Sequence, residues 1–158
     1  PEVPLEDELE LLEAYLDLMC YRYPELKCRC EVEPELYDAL VPNFILQPLV
    51  ENSLLHGLKN KGYRGQVTIS AHRLPQERME ITICDTGSGF GPGKKTEIDQ
   101  MLLHYDRQPS KLEGNSIGVL NVQKRVKLLC GRDYGLSYRE NETGGVTACL
   151  LLPIKEEP

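Results

Sequence analysis

The stretch that decides the fold is PNFILQPLVENSLLHGLK, residues 42–59. Phe44, Ile45, Leu46, Leu49, Val50, Leu54, Leu55 and Leu58 recur three and four apart, which makes one wide face of a helix apolar. Set in that run are Glu51, Asn52 and His56. Asn52 and His56 lie four apart and project from the same side, with Glu51 beside Asn52. Polar groups at near-core positions of a helix need partners or a ligand, because burying them unpaired costs free energy. On this stretch alone two readings stand open: rim residues bonded to backbone or water, or the polar lining of a site.

The chain around this helix has 158 residues, enough for one domain with a core that needs no staples. A net charge of -7 and a pI near 5.0 argue against nucleic acid or an anionic membrane surface as the main partner. No apolar run approaches a membrane span and no signal-peptide pattern is present. The chain begins at Pro1 rather than Met, so the expectation is a piece of a longer protein. The six cysteines, Cys20, Cys28, Cys30, Cys84, Cys130 and Cys149, are scattered through apparent helices and strands. That spread suits reduced, buried thiols. Cys28 and Cys30 have no second pair at ligand spacing, which speaks against a zinc site.

Upstream, Leu5, Leu9, Leu12, Leu16 and Met19 predict an amphipathic helix over 5–23, with acidic residues in its first turns and Pro24 as its stop. Residues 27–33 alternate and predict an edge strand with Cys28, Cys30 and Val32 on one face, and 35–40 predicts a helical turn. Downstream, 66–73 and 79–84 alternate as a hairpin. Its second strand runs into Asp85-Thr86-Gly87-Ser88-Gly89-Phe90-Gly91-Pro92-Gly93. Alternating glycines let a backbone take unusual dihedrals and let a ligand approach closely.

Three motif readings compete for that loop. A dinucleotide fingerprint needs glycine where Pro92 stands, and a Walker loop needs Gly-Lys-Ser/Thr where Gly93-Lys94-Lys95 stands. The sequence Asp85-Thr86-Gly87-Ser88 also resembles an aspartic-protease loop, in which two aspartates share a proton, so one copy requires a dimer. Beyond the loop, 96–107 predicts a helix and 108–114 a mobile polar segment. Gly114 to Leu129 predicts a second long helix whose glycine-bearing start is a ready anion site. Residues 136–140 and 146–152 close the chain as a hairpin around Asn141 to Gly145.

The order of these pieces resembles the GHKL ATPase superfamily, and within it the catalytic domain of LytS/YesM-type sensor histidine kinases. The residues that carry the likeness are PNFILQPLVENSLLHG (42–57), ITICDTGSGF (81–90), SIGVLNVQKRVKLLCG (116–131) and GGVTACLLLP (144–153). LEDELELLEAYLDLMCYRY (5–23) is similar to the family segment that joins the phosphoacceptor helices to the catalytic domain. The resemblance implies an α/β (α+β) two-layer sandwich, a Bergerat-type mixed sheet with helices packed on one face. It divides the chain into a connecting helix and edge segment, 1–33, and an ATP-binding catalytic domain, 34–158. It implies ATP and Mg²⁺ as cofactors, with Asn52 as the metal-holding asparagine, His56 as a phosphate contact and Glu51 orienting a water or the metal shell. Asp85 takes the role of the carboxylate that accepts from the adenine amino group, and Gly87 and Gly89 let the backbone pass under the purine. Gly114, Ile117 and Gly118 fall at the lid hinge and the phosphate-facing helix start, and Thr147 at the hydroxyl that helps bind adenine through water.

Thr86 departs from the commoner Asn of the Asp loop, Ser116 from a usual glycine and Val119 from a usual Leu. His56, His72 and His104 match no family phosphoacceptor, so the resemblance places that histidine outside the chain. The implied activity is protein histidine kinase, passing the ATP γ-phosphoryl group to that histidine for relay to a response regulator. The implied setting is the cytoplasmic part of a membrane-anchored homodimer. Two alternatives are a non-catalytic nucleotide-binding scaffold of the same fold and an aspartic-protease-like dimer using Asp85.

Overall fold

The computed structural model describes residues 1–107 and 114–157. A short strand β1 (Glu2–Pro4) leads into helix α1 (Leu5–Arg22), whose first turn carries Glu6, Asp7 and Glu8 where the helix dipole favours negative charge. Strand β2 (Leu26–Val32) follows, then a single 3₁₀ turn at Pro34–Leu36 and strand β3 (Leu40–Pro42). Helix α2 (Leu46–Ser53) comes next, and then strands β4 (Gly65–Leu74) and β5 (Arg78–Asp85). Helices α3 (Lys94–Leu103) and α4 (Gly114–Cys130) and strands β6 (Gly135–Glu140) and β7 (Val146–Pro153) complete the order.

Five strands form one mixed sheet in the order β2-β4-β5-β7-β6. The pairs β4–β5, β5–β7 and β6–β7 are antiparallel, whereas β2 joins β4 in parallel from Leu26 opposite Gly65 to Val32 opposite Ala71. A parallel neighbour needs a crossover, and α2 lies within it. Along β4, buried Val67, Ile69 and Ala71 alternate with the half-buried Gln66, Thr68 and Ser70, so one sheet face carries the core. Leu5, Leu9, Leu12 and Leu16 of α1 join the same hydrophobic cluster as Leu46, Leu49 and Val50 of α2 and Val119, Val122 and Val126 of α4. Each such side chain contributes roughly 2 kcal/mol when fully removed from water. This is a two-layer α+β sandwich with the helices on one face, as the resemblance implied.

The start of α2 departs from the sequence reading. The helix begins at Leu46, Pro42 closes β3, and Phe44 takes a left-handed conformation (φ 56°) and is 61% exposed rather than part of the apolar face. The reason is tertiary. β1 and β3 pair antiparallel, Glu2 opposite Pro42, which sets the first turn of α1 beside the first turn of α2. There the buried Glu8 carboxylate accepts the backbone N–H groups of Phe44 (2.5 Å), Ile45 (3.2 Å) and Leu46 (3.4 Å). From the other side the Arg125 guanidinium of α4 donates to the carbonyl and to Oδ1 of Asn43. The predicted helical turn over 35–40 likewise shrinks to Pro34–Leu36, because Leu40–Pro42 is drawn into the ribbon with β1.

Candidate functional site

α2 does not end as an α-helix. From Leu54 to Leu58 it widens into a π turn, in which the N–H of Lys59 reaches back five residues to the carbonyl of Leu54. Asn52 precedes this turn and His56 and Gly57 lie in it. The widened turn packs directly on the glycine loop. Ser88 donates its N–H to the Gly57 carbonyl at 3.0 Å. A Cβ on Gly87 would lie 2.3 Å from that carbonyl oxygen, and a Cβ on Gly57 2.8 Å from the carboxyl carbon of Asp85. Side chains at either position would separate the two backbones.

Asp85 ends β5 and is 1% exposed. Its Oδ1 accepts the N–H groups of Gly87 (2.9 Å) and Val146 (3.2 Å). Burial pushes its pKa up; those two N–H groups, the Ser53 hydroxyl and the Lys61 charge pull in the opposite direction. Gly145 closes the floor, since a Cβ there would sit 2.1 Å from the Asp85 carbonyl oxygen. Asn141 fixes the β6–β7 turn and the floor together. Its Oδ1 accepts from Gly145 (3.0 Å) and Thr143 (3.2 Å), while its Nδ2 donates to the Asp85 carbonyl (2.9 Å) and Thr147 Oγ1 (3.3 Å).

Above this floor opens a cleft of about 1310 Å³, lined by Asn52, His56, Asp85 and Gly89 of the predicted residues. Ser53, Phe90, Lys94, Met101, Ser116 and Tyr138 share the lining. Glu51, Gly87, Ile117, Gly118 and Thr147 are not among its lining residues. Glu51 accepts from Gln47 Nε2 at 2.9 Å and does not line the cleft. Gly87 lies behind the floor, and Thr147 is buried beneath it. Gly114 opens α4, Ile117 is 45% exposed, and Gly118 faces Pro48 of α2. Part of the expected lid, 108–113, falls outside the described residues.

Tyr138 is the main residue that sequence reasoning missed. It is buried, its ring meets Phe90 edge-on at 6.5 Å, and its hydroxyl accepts from Asn52 Nδ2 at 3.5 Å. The signal was the inward alternation of Leu136 and Tyr138, because a buried tyrosine hydroxyl usually has a partner. Burial pushes the Tyr138 pKa up, against the Asn52 hydrogen bond, so the hydroxyl stays protonated.

The arrangement fits a nucleotide. A buried carboxylate with backbone against both sides suits the hydrogen-bonding edge of a flat base, and an aromatic and a Met lie beside it. His56, Lys94 and Arg107 also line the cleft and supply donors for an anionic tail. Among the described residues no cluster of three His, Cys, Asp or Glu side chains is able to hold a metal ion. With Asn52 Nδ2 turned to Tyr138, its Oδ1 is the oxygen left for a hard cation. One protein oxygen suits Mg²⁺ bound chiefly through phosphates and water.

The comparisons agree with this geometry. Residues 39–156 match the family described as histidine kinase-, DNA gyrase B-, and HSP90-like ATPase. The chain is similar to sensor protein LytS of Oceanobacillus iheyensis, 32% identical over 94% of this chain and 25% of that protein. It is also similar to sensor histidine kinase YpdA of Escherichia coli K12, 31% identical over 99% of this chain and 26% of that protein. The chain thus spans about a quarter of these relatives. Among solved structures, the catalytic domain of histidine kinase ThkA superposes with a TM-score of 0.70 at 14% identity, over 98% of this chain and 95% of that one. ThkA in complex with response regulator protein TrrA gives 0.66 at 13%, over 98% and 42%. The structural likeness supports the fold alone, and the family match over most of the chain supports the membership. Helix α2, the Asp85 floor and the glycine loop all fall within the matched residues, and the chain belongs to the histidine kinase-, DNA gyrase B- and HSP90-like ATPases.

Proposed function

We propose that this chain is the ATP-binding catalytic domain of a two-component sensor histidine kinase. The observation that carries the reading is Asp85: a buried carboxylate at the cleft floor, with Gly57 and Gly145 too close to admit a Cβ. Asp85 accepts a hydrogen bond from the adenine amino group, while Gly87 and Gly89 keep the backbone low beneath the purine. Thr147 helps through a water. Asn52, oriented by Tyr138, offers its carboxamide oxygen at the phosphate end, where His56 also reaches, while Glu51, outside the cleft, acts on the surrounding water only through neighbouring groups. Mg²⁺, when bound, neutralises charge on the phosphates during transfer. Gly114, Ile117 and Gly118 form the hinge and start of α4, whose Ser116 and Leu120 line the cleft, so closure there excludes water from the phosphates.

The γ-phosphoryl acceptor is a histidine outside residues 1–158, and the phosphate passes on to a response regulator. The names of the curated relatives and the response-regulator complex of ThkA support this assignment. Residues 1–33 connect to the upstream region while packing on 34–158, which carries the nucleotide site, in a homodimeric, membrane-anchored protein with this domain in the cytoplasm. No helix among the described residues is long and apolar enough to cross a membrane. A protease role for Asp85 is not supported, because residues 39–156 match a family of ATPases.

Calorimetric titration with a non-hydrolysable ATP analogue, with and without Mg²⁺, tests the pocket. Wild type is expected to bind, more tightly with Mg²⁺; Asn52→Asp is expected to change the Mg²⁺ dependence, and Asp85→Asn to lose affinity. Absence of binding under both conditions would reject the reading. Adding a phosphoacceptor fragment in trans then separates a kinase from a nucleotide-binding scaffold.

A further inference from the structure

Away from the nucleotide cleft, α1 and the edge strand β2 bring two thiols together. Sγ of Cys20, in the last turn of α1, lies 3.2 Å from Sγ of Cys28 in β2. That is inside ordinary van der Waals contact for two sulfurs, and a disulfide needs about 2 Å. The closing movement is about 1 Å, within reach of small side-chain rotations. Both thiols are half-buried, and both are free. Cys30, two residues along the strand, is exposed.

We propose that Cys20 and Cys28 are a redox modification site, closing to an intramolecular disulfide that clamps the end of α1 to the sheet edge. The oxidant is a hydroperoxide. The Cys20 thiolate attacks a peroxide oxygen, the O–O bond breaks, and Cys20 becomes a sulfenic acid as the departing hydroxide takes up a proton. The Cys28 sulfur then attacks the Cys20 sulfur. The S–S bond forms, the S–O bond breaks, and hydroxide leaves with the Cys28 proton as water. Two thiols and one peroxide thereby give one disulfide and two waters, or one water and one alcohol from an organic hydroperoxide.

The local structure explains why the pair rests reduced until it is challenged. Burial, the contact with Cys20 and the nearby Cys30 and Asp17 push the Cys28 thiol up to about 12, so it holds its proton at neutral pH. The clamp also has something to hold. The turn between the two cysteines stacks Tyr23 on Tyr63 at 4.0 Å, and Glu25 accepts the N–H of Gly65 at the start of β4. Closing the ring from Cys20 to Cys28 fixes the α1–β2 corner against the segment that follows the π turn.

The test treats the 158-residue chain with hydrogen peroxide in the presence of a chelator, followed by intact mass and tryptic mapping. Arg22, Lys27 and Arg29 allow trypsin to place the three cysteines on separate peptides. The expected result is loss of two hydrogens, a Cys20–Cys28 crosslink, and a rise of the unfolding midpoint of about 5–10 °C that dithiothreitol reverses. Cys30→Ser is expected to behave as wild type, and Cys20→Ser and Cys28→Ser to lose both the link and the rise. A crosslink through Cys30, a link between chains, unchanged thiols or an unchanged midpoint would each overturn the proposal. None of these readouts involves nucleotide, so the outcome is independent of the function proposed above.

Discussion

Burial raises the pKa of Asp85 because removal from water penalises the charged carboxylate by more than its hydrogen-bond donors recover. A folded-state pKa above the unfolded value means that the group's contribution to stability is fully present below the unfolded carboxylate pKa and is lost as pH rises through the folded value. Above the folded value the charge on Asp85 therefore works against the fold. Asp85→Asn keeps an Oδ1 for Gly87 and Val146 while removing the charge. It is expected to melt above wild type at pH 7, with the gap closing as the pH is lowered into the carboxylate range, in thermal scans across pH. A gap that widens on acidification would contradict this. The same variant turns a donor toward the adenine amino group and is expected to lose at least about tenfold in ATP affinity. Gly57 gives a purely steric companion test. Gly57→Ala puts a methyl 2.8 Å from the Asp85 carboxyl carbon and is expected to cost about 1–3 kcal/mol in denaturant unfolding. Gly91→Ala meets nothing nearer than 3.7 Å and is expected to stay within about 0.5 kcal/mol of wild type.

Helix α2 shows how far one element's sequence reaches. Its apolar period placed eight residues on the core face: Ile45, Leu46, Leu49, Val50, Leu54 and Leu58 are buried, Leu55 is half-buried and Phe44 is exposed. Spacing also put Asn52 and His56 on one wall, and both line the cleft. Its start was not legible, because Glu8 lies 36 residues before the first N–H that it accepts, beyond any local capping pattern. The π turn was hidden for a similar reason: the packing of Gly57 on Asp85 and Ser88 imposes it, and the apolar spacing tolerates one extra residue. Tyr138 escaped because a strand's alternation gives its direction and not its partner. Glu8→Gln weakens three charge-assisted caps on α2 and is expected to lower stability by about 1–3 kcal/mol, read as a fall of roughly 2–12 °C. Glu6→Gln, on an exposed residue of the same turn, is expected to change little. Tyr138→Phe removes the acceptor that orients Asn52. It is expected to leave adenosine binding intact and to reduce the Mg²⁺-dependent gain for the ATP analogue about fivefold. An equal loss for nucleoside and nucleotide would instead place Tyr138 in the base pocket.

At the scale of the molecule, the two hairpins β4–β5 and β6–β7 were readable because their contacts are local and their alternation is clear. The parallel β2–β4 pairing and the β1–β3 ribbon were not. The first is non-local, and the second has three residues a side, too few to show a period. Both misses concern how the N-terminal segment attaches, and they bear on the proposed division at residue 33. The four leucines Leu5, Leu9, Leu12 and Leu16 are at most 5% exposed. At roughly 2 kcal/mol each their burial is comparable to the 5–15 kcal/mol by which an ordinary domain is stable. Removing 1–33 would also strip the cap from α2 and leave β4 as an open edge where β2 now pairs along seven residues. The fragment 34–158 is therefore expected to show no cooperative unfolding transition and to lose nucleotide binding, although every residue proposed to touch ATP is present. Calorimetric melting and near-ultraviolet circular dichroism of the two lengths decide it. A sharp transition with retained binding in 34–158 would mean that α1 is a detachable connector. Its loss would mean that α1 belongs to the folded unit and holds the first turn of the Asn52 helix through Glu8.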